Sequence, residues 1–239
     1  MKKTSAELKR MARESLQGHW GIMIGVFVLE ALIIYAAIIL FSVPYVLTRS
    51  LTTLLIYSVV TLVVSLGYMV LQTGVISMHL KLARDQEVSL GMLFSQFSNR
   101  PFRYILGSLL LSVIGVGCML PGYICIIAGR LTVQVFLLVL GILLLIAGTV
   151  IYIVLAFRYA LIMYLFIEDS QIKVMEAYRE SARFMQGNKG RMFYISLSFI
   201  GWTILAMFSC GIGMLWVTPY MSQTMVQFYL DVKGSSETE

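Results

Sequence analysis

Long apolar runs alternate with short polar segments along the whole chain. The first run covers about Gly21 to Val43 and is closed by Pro44; the second covers about Leu54 to Met78, and the third about Phe102 to Ile126. A fourth begins near Val133, stays apolar to Phe157, meets Arg158 and resumes as YALIMYLFI up to Glu168. A fifth covers about Met192 to Phe208, and a sixth, about Met214 to Tyr229, follows the tight CGIG turn at Cys210 to Gly213. A membrane-crossing helix needs roughly 20 apolar residues. The pattern therefore predicts an all-α polytopic membrane protein, with six transmembrane helices paired in three hairpins. The fourth run is longer than one span needs, which predicts a tilt, a protruding end or a break near Arg158. Pro121 and Gly122 predict a kink in the third span or the end of its regular part. Gly21 and Gly25 form a GxxxG pair, the spacing that permits close helix packing.

The polar segments between hairpins have a periodicity of their own. In TSAELKRMARESLQ, residues 4 to 17, Leu8, Met11, Ala12 and Leu16 share one helical face, and Lys9, Arg10, Arg13 and Glu14 lie mostly on the other. Thr4 with Glu7 has capping-box spacing and Gly18 offers a stop. Leu90, Leu93, Phe94 and Phe97 recur at helical spacing behind a Ser89 cap, and Asn99, Arg100 and Pro101 end that segment. Ile172, Met175, Tyr178, Ala182 and Met185 make a third apolar strip, stopped by Gly187 and Asn188. Each reads as an amphipathic surface helix that lies on the membrane face and aims the next hairpin across.

The distribution of positive charge orients these elements. Of the 18 Lys and Arg residues, all but Arg49 and Arg130 fall on one side if both termini share it. Short basic loops resist translocation, so that side is cytoplasmic, and so are the N- and C-termini. Aligning ESLQGHWGIM with RFMQGNKGRM places Gln17–Gly18 over Gln186–Gly187 and Gly21 over Gly190. This predicts a single integral membrane domain over residues 1–239, built from three parallel repeats at 4–80, 88–167 and 170–232.

Composition narrows the chemistry. Hydrophobic residues make up 59% of the chain and charged residues 13%, against roughly 45–50% and 25% in soluble domains. No stretch remains for a separate soluble core. About twenty polar residues precede the first apolar run, unlike a cleavable leader, so that run is expected to stay as a span. The three cysteines lie in apolar runs without a CxxC pair and read as packing residues. With two unpaired histidines and no nucleotide-binding, zinc-protease or serine-hydrolase motif, no metal, cofactor or enzyme site is expected. The net charge of +6 is explained by membrane orientation, which leaves nothing for nucleic acid.

Two charged residues interrupt the apolar pattern. Glu30 is the carboxylate inside a span, about nine residues and so roughly 14 Å past its edge. A charge at that depth must be neutralised, paired or turned to a polar cavity. It reads either as a polar-path residue, with Gln72, Gln134, Gln223 and Gln227 as candidate neighbours, or as a buried acid bonded to the next helix. Arg158 either snorkels at the end of the fourth span or sits in an apolar run, where it would pair with Glu30 or a phosphate. Arg100, Arg103, Lys189 and Arg191 form basic collars at the cytoplasmic ends of spans and are the candidate contacts for anionic lipid headgroups.

SAELKRMARESLQGHWG, EAYRESARFMQGNKGRMFYISLSFIGW, GIGMLWVTPY and the closing QFYLD together resemble the bacterial membrane family catalogued as domain of unknown function 975. The likeness spans essentially the whole chain and is most specific from Glu176 to Tyr229. More distantly, that family is similar to the membrane domains of some glycerophosphodiester phosphodiesterases. The resemblance implies a six-helix fold in the bacterial cytoplasmic membrane, near lipid chemistry but without the hydrolase domain. Two functional expectations follow: a non-enzymatic protein that binds membrane lipid or a protein partner at the cytoplasmic leaflet, or a small transporter with Glu30 lining a polar path.

Overall fold

The structure is a computed structural model, and it describes residues 2–236. Every regular element among the described residues is helical. Helix α1 (Ser5–Leu16) leads into the long pair α2 (Trp20–Thr48) and α3 (Leu51–Leu82). A 3-10 helix at Leu90–Phe97 precedes the pair α4 (Pro101–Thr132) and α5 (Val135–Arg158). Then come the short α6 (Ile162–Glu168), α7 (Val174–Phe184), and the last pair α8 (Lys189–Phe208) and α9 (Met214–Ser236).

Among the described residues, five helical stretches are long and apolar enough to cross a membrane: α2, α3, α4, the run Val135–Glu168, and α8. The sixth expected span, α9, does not reach that hydropathy. Its sequence carries Ser222, Gln223, Thr224 and Gln227, and the last three are buried. A helix can hold such residues when protein surrounds it, because neighbours satisfy their polar atoms. Here α9 packs against α1, α2, α3, α7 and α8. His79 Nδ1 lies 2.7 Å from Gln223 Oε1, and Gln227 donates to Ser15 Oγ at 3.1 Å. The last helix is therefore the central post of the bundle.

Helix α1 begins with the expected capping box: the Thr4 amide donates to Glu7 Oε2 at 2.7 Å, and the Glu7 amide donates back to Thr4 Oγ1 at 3.3 Å. It ends where Gly18 takes a φ of +79°, and the chain after α7 turns at Gly187 with a φ of +72°. Much of the apolar face of each helix is spent inside the protein, although Met175 of α7 is exposed. Leu8, Ala12 and Leu16 are fully covered, with α1 against α9 and α8. Covering a leucine contributes about 1.5–3 kcal/mol relative to leaving it in water, which fixes these short helices. In α7, Tyr178 is buried and its hydroxyl donates to Gly107 O at 2.8 Å. Burial, with Tyr159 nearby, pushes this phenol up to about 12.

The segment expected as a second surface α-helix is instead the 3-10 helix. Ser89 makes no side-chain cap, and of the apolar strip only Leu93 is buried, while Leu90, Phe94 and Phe97 remain exposed. This segment lies backbone to backbone on α3: a Cβ on Gly74 would stand 2.1 Å from Leu93 O. Helix α2 runs through Pro44 to Thr48, beyond the expected stop, and α4 continues through Pro121. The expected break near Arg158 is present, because α5 ends at that residue and α6 begins at Ile162.

At the end of the bundle rich in Lys and Arg, two carboxylates tie the elements together. Glu168, at the end of α6, is paired with Arg84 and Lys233 and accepts from Tyr229 Oη at 2.6 Å. Asp231 of α9 pairs with Arg191 of α8 at 2.6 Å and accepts from the Lys3 amide at 3.2 Å. This basic end contains one large packed core, including Tyr104, Phe166, Met185, Phe199, Phe228 and Tyr229.

Candidate functional site

The α2–α3 pair is joined at its two ends and open between them. Near the basic end, Gln72 Nε2 of α3 donates to Glu30 Oε1 of α2 at 2.6 Å. At the far turn, Thr48 and Thr53 hydroxyls lie 2.8 Å apart, and the rings of Tyr45 and Tyr57 stack at 5.8 Å. Between these contacts the helices enclose a groove of about 610 Å³, with walls that include Phe27, Tyr35, Phe41 and Tyr68 and with Glu30 also lining it. Glu30 is 6% exposed. Among the described residues, no Lys, Arg or His lines the groove.

Behind Glu30 lies a second cavity of about 170 Å³, bordered by Gln72 and His79 and by Thr218, Pro219 and Ser222 of α9. Phe27, Glu30 and Tyr68 border both cavities, so the Glu30 side chain and these two rings stand where the cavities meet. Of the four glutamines that were candidate neighbours, Gln72 holds Glu30, whereas Gln223 holds His79. Position along α2 sets the depth of this group: ten residues past Trp20 is about 15 Å of helix.

The other candidate residues occupy different surroundings. Arg158 is exposed at the end of α5, its guanidinium 5.7 Å from the ring centre of Tyr159. Arg103 is buried, and donates to Asp169 O at 2.8 Å, Phe166 O at 2.5 Å and Tyr104 Oη at 3.2 Å. Arg100 donates to Gln171 Oε1 at 2.9 Å. These two arginines hold the connection after α6, where a helix C-terminus presents unsatisfied carbonyls. Arg191 is engaged with Asp231 and Lys3 O.

Lys189, at the first turn of α8, has no protein anion beside it among the described residues. It stands at one end of a groove of about 300 Å³ between α5 and α8, walled by Val150, Ile153, Val154, Phe157 and Phe193. Gly190 borders this groove and also a cleft of about 500 Å³ lined by Lys2, Lys3 and Arg191. No group of three or more His, Cys, Asp or Glu residues able to hold a metal occurs among the described residues.

The family described as "Protein of unknown function (DUF975)" matches residues 1–236. The chain belongs to this family. No curated protein and no solved structure matches it. In this DUF975 protein, several residues that carry the architecture were not singled out by sequence reasoning. Glu168 and Asp231 are among them, and so is His79, which is 1% exposed. Their signal was chemical pairing across long chain separations, which periodicity does not report.

Proposed function

We propose that this DUF975 protein is a non-enzymatic integral protein of the bacterial cytoplasmic membrane that holds an anionic lipid at the inner leaflet. The observation that carries this reading is the α5–α8 groove. Its walls are aliphatic and aromatic, and its end is Lys189. An acyl chain fits the walls by apolar contact, and the ammonium group supplies the counter-charge for a phosphate headgroup at the interface, worth about 1 kcal/mol per basic residue. The adjoining cleft with Lys2, Lys3 and Arg191 extends the positive field around that headgroup.

The orientation belongs to the same proposal. The basic end faces the cytoplasm, with the N- and C-termini on that side, because the opposite turns carry only Arg49 and Arg130. Three structural units, each a short segment followed by a long helix pair, place their starts on this face.

Native mass spectrometry on protein extracted in a mild neutral detergent tests the lipid reading. Phosphatidylglycerol is expected to remain bound in preference to phosphatidylethanolamine, and Lys189→Gln is expected to lower that preference several-fold. Equal retention of both lipids by the unsubstituted protein would overturn it.

A further inference from the structure

We infer that the α2–α3 groove is a binding site for a lipophilic organic cation, a separate site from the inner-leaflet lipid groove. Glu30 supplies the counter-charge, and Phe27 and Tyr68 supply the faces on which the cationic head rests.

Three features converge on this ligand class. First, the groove is built to take an apolar body: it is about 610 Å³ in volume, and Phe27, Tyr35, Phe41 and Tyr68 contribute four aromatic rings to its walls. The distance along α2 from Glu30 to Phe41 is about 16 Å, enough for a long alkyl chain to lie along the helix. Second, the carboxylic acid lining it is 6% exposed and, among the described residues, accepts one hydrogen bond, from Gln72 on one oxygen. A carboxylate at this depth is costly unless a cation pairs with it. Third, the Phe27 and Tyr68 rings line the same two cavities as that acid, and among the described residues no Lys, Arg or His lines the groove to compete for it. Rings attract a cation over their faces, and more strongly when water is absent. An anionic head would meet Glu30 with repulsion, and a neutral chain would leave the acid uncompensated.

The α4–α5 pair shows that this opening is specific to α2–α3, since α4 and α5 are joined by close contacts from Gly115 against Tyr152 to Gly129 against Leu138. The second cavity behind Glu30 gives the carboxyl group room to swing between a Gln72-bound and a cation-bound position without disturbing the helices.

The test is equilibrium binding of radiolabelled dodecyltrimethylammonium to the full chain in lipid nanodiscs, with empty nanodiscs as the blank. Binding is expected to saturate at one site per chain and to weaken at least tenfold in Glu30→Gln, while Glu30→Asp retains most of it. Ala37→Phe, which fills the groove and leaves the acid in place, is expected to abolish binding while thermal unfolding is unchanged or rises. Unlabelled dodecanol and dodecyl sulfate are expected not to compete. Equal binding by Glu30→Gln, or competition by dodecanol as strong as that of the cation, would overturn the proposal. Loss of binding in Lys189→Gln would also overturn it, by showing that the two sites are one.

Discussion

Two antiparallel hairpins of nearly equal length stand side by side in this protein and are held in opposite ways. In α4–α5 the helices meet along their length on small residues. A Cβ on Gly148 would fall 2.2 Å from Cys118 O, one on Gly141 2.9 Å from Gly122 O, and one on Gly129 2.9 Å from the Leu138 amide. Such approach lets backbone touch backbone and leaves no room for a ligand. In α2–α3, Met23 and Val26 share a buried cluster with Leu71 and Met78 near the basic end, the Glu30–Gln72 hydrogen bond lies above it, and the Thr48–Thr53 and Tyr45–Tyr57 pairs close the far turn. The glycines of that hairpin that were expected to pack, Gly21 and Gly25, have open space where a Cβ would be. One hairpin is a strut, and the other is a bow with a cavity in it. Structure is concentrated in the first and available chemistry in the second.

The largest test of this contrast is Gly148→Val. Its side chain cannot fit against the Cys118 backbone, so α4 and α5 must separate, at a cost of about 3 kcal/mol. Thermal unfolding in detergent should show a clear drop, and an unchanged midpoint would mean that the seam is not the strut described. Next in size is Glu168→Gln. It removes the carboxylate shared by Arg84, Lys233 and Tyr229 at the base of all three helix pairs. Because the Arg84 and Lys233 side chains are 45% and 33% exposed, water replaces part of what is lost. The expected cost is about 2 kcal/mol. Hydrogen exchange should rise more in α2–α3, which depends on its ends, than in α4–α5. Equal increases would break the comparison.

The opposite sign is expected in the bow. Gly25→Ala and Gly67→Ala place a methyl group where nothing lies within 4 Å. Alanine holds a helix better than glycine by about 0.5–1 kcal/mol, so each substitution should raise the unfolding midpoint. A fall would show a packing role at those positions.

These sites explain how much the sequence disclosed. The apolar runs located the long helices because a span must satisfy its backbone internally and face lipid with its side chains. That same logic is weaker for α9, where Gln223 Oε1 lies beside His79 Nδ1 and Gln227 donates to Ser15 inside the bundle. The seam was present in the text as glycines at seven-residue spacing, 115, 122 and 129 in one helix and 141 and 148 in the next. A spacing rule alone points equally to Gly21 and Gly25, since the pattern does not state which helix face has a partner. Glu30 stood out because acids are expensive in an apolar run, but its partner could not be read. Gln72, Gln134, Gln223 and Gln227 are equivalent in sequence, and only the crossing of α2 and α3 selects Gln72. Arg103 showed the reverse limit: as text it is a basic collar residue, whereas in space its two terminal nitrogens donate to Asp169 O and Phe166 O.

The smallest expected effect concerns the base on which the bow stands. Leu16 of α1 joins Met23, Val26, Leu71, Met78, Leu82 and Leu93 in the cluster beneath α2–α3, so the stability of α1 reaches that hairpin. The Glu7 carboxyl in the α1 cap is held below the ordinary glutamate range, first by the Thr4 backbone amide and then by the Thr4 hydroxyl. A carboxyl whose folded value is lowered stabilises the fold fully above its unfolded value, and that contribution is lost as pH falls through the lowered folded value. The wild-type protein should therefore unfold at a higher temperature than Glu7→Gln near neutral pH, and the gap should close in acid, below the ordinary carboxylate range. Deuterium uptake at the base of α2 should follow the same course while the α4–α5 seam stays unchanged. A gap that persists in acid would assign the α1 cap's contribution to something other than the Glu7 charge.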